Sequence, residues 1–202
     1  MRIGFVLECQ TGGSDATVYK YVAERLCPTL SIEKPKTLVN KIGVFNEGPA
    51  VTQTLLETGC DFVFVIWDRK PRFGVLGNCE TDIATFNLSL VQLNIDLQRV
   101  FVCCIDEMLE SWLIIDGRGF DRWLQLKTNH PLADFGDHTS RAEQSDPKNR
   151  IRAFLRINYG AWKYNESEDN FEIVKHLPDF DRAARWNESF RFFKESVEAI
   201  CP

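Results

Sequence analysis

Two almost entirely apolar runs constrain the fold of this chain more than any other feature. One covers positions 61–67 and reads Asp-Phe-Val-Phe-Val-Ile-Trp, and the other extends from Val100 to Ile105. A strand with one wet face alternates apolar and polar residues, so a near-continuous run of β-branched and aromatic residues is typical of a strand buried on both faces. Strands of that kind belong to parallel sheets that are covered by helices on both sides.

Strands and helices alternate over about the first 120 residues, which is the pattern of α/β proteins. The predicted strands cover Ile3–Leu7, Thr37–Phe45, 61–67 and Val100–Ile105, and the predicted helices cover Asp15–Leu26, Pro49–Thr58, Glu80–Leu97 and Glu107–Asp116. We therefore predict a three-layer α/β sandwich with a mainly parallel sheet of about four strands. A flavodoxin-like fold is the alternative, with a cofactor phosphate in the loop before the first helix, although Glu8 beside that loop would repel the phosphate.

The second half of the chain predicts a helical extension of the same domain. A polar segment without a helical or strand period covers Thr128–Asp146, and we expect a long surface loop there. Helices are predicted from Pro147 through Ile157 and from Glu188 to Ile200. The predicted organisation is an α/β core over 1–127, the polar loop over 128–146 and a helical C-terminal extension over 147–202 that packs on the core.

Composition excludes several classes of protein. The chain has 202 residues, 44% of them hydrophobic, and its 24 basic and 29 acidic residues give a net charge of -5. That is enough for one core, but it leaves no general basic surface for nucleic acid, so such a contact must be local. The first apolar run is short and ends at Glu8, which argues against a signal peptide or membrane span and favours a cytoplasmic protein. The seven cysteines include no Cys-x-x-Cys pair, and we expect buried free thiols rather than zinc sites or disulfides.

Acidic residues follow three of the predicted strands, at the sheet edge where such folds bind ligands. These residues are Glu8, Asp68, Asp106 and Glu107, and Glu110 lies one helical turn beyond Glu107. Carboxylates that meet there repel one another, and a divalent cation relieves that repulsion. Oxygen ligands without histidine or thiolate favour Mg²⁺ or Mn²⁺ over zinc. The alternative for any single acid is helix capping or solvent exposure, and for Asp15 capping is the favoured interpretation.

A basic helix is predicted in a chain that is otherwise acidic. Five cations lie between Pro147 and Lys163 without an acid among them, namely Lys148, Arg150, Arg152, Arg156 and Lys163. Positions 148, 152 and 156 are spaced by four and form one stripe, which would attract a phosphate backbone. The alternative is a solvated face that forms ion pairs with acids. Tyr159 and Trp162 could stack on bases, although aromatic residues at this density more often belong to a core.

The order of these motifs resembles the Toprim domain, the metal-binding α/β module of topoisomerases, primases and overcoming-lysogenization-defect nucleases. It is most similar to a family of small stand-alone Toprim-like proteins that are often encoded beside an ATPase in bacterial defence loci. The matching positions are Glu8, Asp15, Asp68, Glu107 and Glu110, followed downstream by Lys148, Lys163 and Ser189-Phe190. The resemblance implies a Mg²⁺- or Mn²⁺-dependent nuclease in antiviral defence, an ATPase partner and a possible homodimer, with no membrane association.

The chain departs from the Toprim pattern at two positions. Toprim proteins usually carry Asp-x-Asp after the third strand, whereas this chain has Asp68-Arg69-Lys70, and Cys9 replaces the glycine that commonly follows the first glutamate. The first change removes a metal ligand, so one-metal, two-metal and inactive sites all remain open. Glu80, Asp82 or Glu110 are the candidate substitutes for that ligand, and Lys70 could instead bind a phosphate or neutralise the acids.

The leading functional hypothesis is a metal-dependent phosphodiesterase, an endonuclease that acts on DNA or RNA. Glu8, Asp68 and Glu107 or Glu110 would hold the metal, and Glu8 is the candidate general base. Lys148 is preferred over Lys70 and Lys163 for the charge that develops on the phosphate. The predicted nucleic-acid contacts are Lys70, Lys148, Arg152, Arg156 and Lys163. The alternatives are an effector or regulatory subunit that binds an ATPase, since the chain has no nucleotide-binding P-loop motif, and a small-molecule phosphotransferase.

Overall fold

A computed structural model of the protein describes residues 1–11, 13–70, 78–128, 133–160 and 163–202. Its strands are β1 (Arg2–Glu8), β2 (Ser31–Ile32), β3 (Lys36–Leu38), β4 (Phe62–Asp68) and β5 (Val100–Ile105). They form one sheet in which β1 lies beside β4 and β4 beside β5, while β2 and β3 pair with the beginning and the end of β1. The recorded pairings are all parallel, as the sequence predicts.

Helices cover both faces of this sheet. The helices are α1 (Ser14–Leu26), α2 (Lys41–Glu57), α3 (Cys79–Gln92), α4 (Glu110–Leu113), α5 (Gly117–Lys127), α6 (Arg141–Gln144), α7 (Pro147–Tyr159), α8 (Glu166–Lys175), α9 (Phe180–Trp186) and α10 (Glu188–Ala199). Within β4, Phe64 and Ile66 join the core on the side of α1 and α10, whereas Val65 and Trp67 join the core on the side of α2 and α3. This confirms a strand buried on both faces.

The second predicted unit is wrong in its boundaries. The strand is only β3, three residues long, and α2 begins at Lys41, so Phe45 is helical and Pro49 lies inside the helix rather than at its start. The Asn40 side chain caps α2 by accepting the backbone N–H of Gly43 at 2.9 Å. A capping residue nine positions before the proline sets the start of this helix, and that signal outweighs the proline.

The region after β5 differs from the predicted helix over Glu107–Asp116. Glu107 has a left-handed backbone with φ of 70°, so no helix starts there, and the single turn α4 begins at Glu110. Asp116 ends this segment and caps α5, a helix that the sequence analysis missed. Asp116 is fully buried, and its carboxylate accepts hydrogen bonds from Arg118 Nε at 2.8 Å and Nη2 at 2.6 Å. Arg182 Nε lies 3.9 Å from the same carboxylate and Arg182 also pairs with Asp137.

The C-terminal helices share a core with the sheet. The predicted helix from Pro147 continues to Tyr159, and the terminal helix covers Glu188–Ala199, while α8 and α9 were not predicted. Leu155 of α7, Ile173 of α8 and Phe193 of α10 lie in the same apolar cluster as Phe5 of β1. Within the predicted polar loop, the described residues 133–146 include the short helix α6, which begins with a capping box between Ser140 and Glu143.

The expectation of seven free thiols is wrong for four of them. Cys27 bonds to Cys201, and Cys79 bonds to Cys104, with Cα–Cα distances of 5.7 and 5.5 Å. The partners lie 174 and 25 residues apart, and only the fold brings them together. Cys9, Cys60 and Cys103 are free and buried, as predicted.

Membrane-spanning character is not found in the described part of the chain, where none of the helices combines sufficient length with sufficient apolar content. The predicted cytoplasmic location stays a prediction.

Candidate functional site

Two acidic side chains meet at the carboxyl ends of neighbouring strands. Glu8 is the last residue of β1 and Asp68 is the last residue of β4, and the two strands pair in parallel up to Leu7 and Ile66. The backbone N–H of Asp68 donates a hydrogen bond to Glu8 Oε2 at 3.2 Å. Both side chains are partly exposed, so this edge of the sheet is open to a ligand. The structure thus brings together the first two carboxylates that the sequence places at one edge.

Two further acids complete what we call the acidic cluster, which consists of Glu8, Asp15, Asp68 and Glu110. Asp15 lies in the first turn of α1 and Glu110 is the first residue of α4, where it is 2% exposed. The pKa of Asp68 is raised well above its ordinary value, first by burial and then by the negative charges of Asp15, Glu110 and Glu8. The ammonium of Lys148 opposes that shift. Perturbation of this kind is typical of functional sites in clefts, where like charges are held together.

Glu110 is held in place by side chains from the C-terminal helices. Its Oε1 accepts hydrogen bonds from Asn170 Nδ2 at 3.1 Å and from the Tyr164 hydroxyl at 3.4 Å. Its Oε2 is buried and has no hydrogen-bond partner. Burial raises the pKa of Glu110 and Asp15 adds to that shift, while Lys148 and Asn170 act against it. Glu110 is therefore a fixed carboxylate with one unused oxygen.

Lys148 is a cation that contacts the acidic cluster, through Glu110. It follows Pro147 at the start of α7, and its Nζ lies 2.9 Å from Glu166 Oε2 and 3.6 Å from Glu110 Oε1. Burial lowers the pKa of Lys148, but Glu110, Glu166 and Asp68 together raise it above its ordinary value. Lys148 is consequently a charged ammonium at neutral pH, as the proposed role in binding a phosphate requires.

Glu107 is held by the two residues that follow Asp68 in the chain. Its carboxylate forms ion pairs with Arg69 and Lys70, and Arg69 Nε also lies 3.0 Å from Asp106 Oδ1. Lys70, which stands where the Toprim pattern has its second aspartate, and Arg69 thus neutralise the acids after β5. Lys70 pairs with an acid in this structure, and Glu110 is the acid that contacts Lys148.

The basic stripe of α7 divides into paired and exposed residues. Arg152 Nη2 contacts Glu166 Oε1 at 2.6 Å, next to Lys148, whereas Arg156 and Lys163 are exposed. The hypothesis of a solvated face with ion pairs therefore describes Arg152, and the exposed cations stay candidates for nucleic-acid contacts. Tyr159 is partly buried, and its hydroxyl accepts the backbone N–H of Ala133 at 3.2 Å.

Three other predicted residues lie outside the cluster or outside the described part of the chain. Asp82 forms an ion pair with Lys41, and Glu80 is exposed in the first turn of α3, so neither joins the acidic cluster. Trp162 lies outside the described residues.

The donor set fits a hydrated hard cation but not a closed metal cage. Among the described residues, no group of three or more histidine, cysteine, aspartate or glutamate side chains is arranged to hold a metal ion. Mg²⁺ usually keeps several waters and takes only one or two protein carboxylates together with substrate phosphates. Glu8 and Asp68, at the ends of neighbouring strands, are the candidates for such a pair, and Glu110 Oε2 is a buried oxygen without a hydrogen-bond partner.

Sequence reasoning missed the three residues that contact Lys148 or Glu110 from the C-terminal half. Glu166, Tyr164 and Asn170 belong to α8 or the segment just before it, and no motif marks them. The available signal was weak: an Asn in the interior of an amphipathic helix, on the same face as Ile173, is a polar residue at a buried position. Such a residue needs a hydrogen-bond partner, but only the fold shows that the partner is Glu110.

Comparison with protein-family models and with curated proteins finds no match to this chain.

Proposed function

We propose that this protein is a Toprim-type phosphodiesterase, a nuclease that cleaves DNA or RNA at the acidic cluster. The observation that carries the proposal is the accumulation of carboxylates at the carboxyl end of a parallel sheet, where burial and three neighbouring acids raise the pKa of Asp68. Acids gathered where parallel strands end, at the edge where such folds bind ligands, are typical of ligand chemistry. The order of the sequence motifs, which resembles Toprim domains, supports the same conclusion.

The residues have separate roles in this proposal. Glu8 and Asp68 would hold Mg²⁺ or Mn²⁺, with Asp15 and Glu110 completing the negative surroundings. Such an ion, when bound, supplies a polarised phosphate oxygen and a water of lowered pKa. Glu8 or a neighbouring carboxylate accepts the proton of the attacking water. Lys148 neutralises charge on the phosphate, because it is the ammonium that already faces Glu110 at 3.6 Å.

The nucleic-acid backbone would approach along α7. Arg156 and Lys163 are exposed and are the cations with the best access, while Arg152 is half exposed beside Glu166. A contact of this kind is independent of sequence and weakens with added salt. It does not separate DNA from RNA, so both substrates belong in the test.

The test is cleavage of plasmid DNA and of a structured RNA by the full chain in Mn²⁺ or Mg²⁺, with EDTA as the metal-free control. We expect cleavage that requires the metal and is lost in Glu8→Ala and in Asp68→Ala. Asp61→Asn is the matched control, because Asp61 lies at the opposite end of β4 and accepts the backbone N–H of Arg2 at 2.7 Å. Cleavage retained by both alanine variants would refute the proposal.

A second candidate is a catalytically weak effector subunit that an ATPase partner controls. The observation in its favour is that the described acids form no three-ligand metal group in the isolated chain, so that completion of the site by a partner is a sensible alternative. The tagged full chain, isolated from its native host, should then recover an ATPase and cleave only in that complex. Recovery of no ATPase, together with cleavage by the isolated chain, would exclude this candidate.

A further inference from the structure

The two edges of the sheet differ in how well they prevent pairing with another chain. At one edge lie β2 and β3, which are two and three residues long, and Pro35 and Lys36 stand where β3 begins. At the other edge lies β5, whose six residues include neither a proline nor a charged side chain. Proteins prevent an edge from pairing by short strands, by proline and by charged side chains, above all lysine. The sequence of β5 has none of these features.

The backbone of β5 has hydrogen-bonding groups on the side away from β4. Among the described residues, β4 is the strand that pairs with β5, and the carbonyl of Ile105 accepts the N–H of Arg69, directly after β4, at 2.9 Å. Since backbone groups of successive strand residues point to opposite sides, those of Cys104 and Val102 point away from β4. Both residues line a cavity of about 1150 Å³. This cavity, which we call the β5 groove, is also lined by Ile83, Asn87, Leu97, Trp186 and Phe192.

Three large apolar side chains of the β5 groove are exposed. Leu97, Trp186 and Phe192 have 41%, 48% and 41% of their surface in solvent. Exposed apolar side chains that gather in one concave place are typical of a protein interaction site. A strand that enters the groove would direct its side chains alternately toward α3, which contributes Ile83, and toward α10, which contributes Phe192. The groove therefore suits an extended segment with apolar side chains.

Charge in the β5 groove favours a basic occupant. The charged side chains among its described lining residues are three acids, Glu80, Asp106 and Glu188, and one cation, Arg69. Arg69 already pairs with Asp106 at 3.0 Å and with Glu107. Negative charge thus exceeds positive charge, and it would attract lysine or arginine and repel a phosphate backbone. A basic peptide is complementary to this lining, whereas a nucleic acid is not.

The negative charge and the apolar surface lie toward different ends of the strand. Asp106 directly follows β5, and Glu80 is next to Cys79, which is bonded to Cys104 near the end of the strand. Leu97, by contrast, lies just before β5. The disulfide also holds the first residue of α3 against the strand, so this wall of the groove is already ordered and costs little to organise on binding.

We propose that the β5 groove binds an extended peptide segment of a partner protein, with apolar side chains and basic residues at one end, which pairs with β5 as an additional strand. Main-chain hydrogen bonds to Val102 and Cys104 would hold the segment, while the apolar walls and the acids would select its side chains. The inference makes no use of the acidic cluster and does not depend on the proposed nuclease activity.

The experiment measures binding of fluorescein-labelled peptides to the full chain by fluorescence anisotropy. The basic probe is Lys-Lys-Val-Thr-Val-Ile-Val and the acidic probe is Glu-Glu-Val-Thr-Val-Ile-Val. Each is made in both chain directions, because an added strand can run parallel or antiparallel to β5. We expect one direction of the basic probe to bind with a dissociation constant below about 100 µM. The acidic probe of the same direction should bind about ten-fold more weakly.

Three variants locate the bound peptide. Val102→Pro removes an N–H on the groove side, where an edge strand tolerates proline, and Phe192→Ser removes part of an apolar wall. Each should weaken binding of the basic probe about ten-fold. Ile157→Ser is the matched control, because it makes the same kind of change at an exposed apolar residue of α7 that is not among the lining residues. Its affinity should change less than about two-fold.

Each outcome decides for or against the proposal. Weaker binding by Val102→Pro and Phe192→Ser, with unchanged binding by Ile157→Ser, supports it. Absence of binding by both directions of the basic probe at about 1 mM overturns it. Equal affinity for the basic and the acidic probe refutes the charge complementarity on which it rests. Equal affinity of Phe192→Ser and Ile157→Ser shows that the peptide lies elsewhere, and this comparison decides if Val102→Pro fails to fold by circular dichroism.

Discussion

Two acidic sites in this protein, the buried Asp116 and the partly exposed Asp68 with its neighbouring acids, have opposite electrostatic environments. Asp116 is surrounded by two guanidinium groups: burial alone would raise its pKa, but Arg118, by hydrogen bonds and charge, and Arg182 hold that pKa below its ordinary value. Asp68 has three acids and one ammonium around it, and its pKa is raised. Burial acts in the same direction on both carboxyls, and it is the largest cause of the raised pKa of Asp68. The guanidinium groups outweigh burial at Asp116, whereas the charges of Asp15, Glu110 and Glu8 add to it at Asp68.

The largest expected effect comes from breaking the balanced group. Asp116→Ala removes the hydrogen bonds to Arg118 and the cap of α5, and we expect the free energy of unfolding to fall by about 2 kcal/mol. Urea denaturation followed by circular dichroism measures the change. Glu188→Ala, at a highly exposed position, is the control and should shift it by less than about 0.5 kcal/mol. An equal, small effect of both variants would remove the contrast between the two groups.

A smaller effect of opposite sign is expected in the acidic cluster. Asp68→Asn removes a negative charge from a set that repels itself, so the metal-free protein should gain about 1 kcal/mol in the free energy of unfolding at neutral pH. Loss of the proposed nuclease activity in the same variant would accord with the competition between stability and activity at functional sites. A less stable Asp68→Asn protein, in the same urea titration, would show that the Asp68 charge is compensated after all.

The pH dependence of stability separates the two groups further. The folded-state pKa of Asp68 is raised, so the folded protein binds the proton more tightly than the unfolded chain, and stability falls as pH rises from the unfolded value near about 4 through the folded value. The advantage of Asp68→Asn over the wild type should thus grow with pH in that interval. The folded pKa of Asp116 is lowered, so its contribution is present above about 4 and is lost as pH falls through the folded value.

Urea denaturation at a series of pH values from acid to neutral tests both slopes. The difference between Asp68→Asn and the wild type should increase toward neutral pH, whereas the difference between Asp116→Asn and the wild type should shrink toward acid pH. Parallel curves for all three proteins would contradict the assignment of opposite shifts.

The smallest effect is expected at the exposed pair next to the acidic cluster. Arg152→Met removes an ion pair whose arginine side chain is 51% exposed, and exposed pairs contribute little, so the free energy of unfolding should change by less than about 0.5 kcal/mol. A loss several times larger would mean that Arg152 is essential for holding Glu166 beside Lys148. Thermal denaturation in low and high salt provides the measurement, since a screened pair loses its contribution in salt.

The sequence predicts the sheet well and the site only in part. Near-continuous apolar runs identified β4 and β5 as strands buried on both faces, and the acids at strand ends placed Glu8 and Asp68 at one edge. The left-handed backbone of Glu107 and its ion pairs with Arg69 and Lys70 depend on tertiary structure, which the local pattern of acids does not show. The side chains that fix Glu110 lie 54 and 60 residues away in the chain, beyond the reach of any local pattern.

The bond between Cys27 and Cys201 has a topological consequence. It joins positions 174 residues apart and so closes most of the polypeptide into a covalent ring, while β1 and α1 lie outside it. A single proteolytic cut within the ring opens it without releasing a fragment, and the nicked molecule would migrate as one band on a denaturing gel until a thiol reductant divides it into two. Closing a ring of this size also lowers the conformational entropy of the unfolded chain, which stabilises the native state. Because the bond ends at Cys201, it also restrains the end of the last helix.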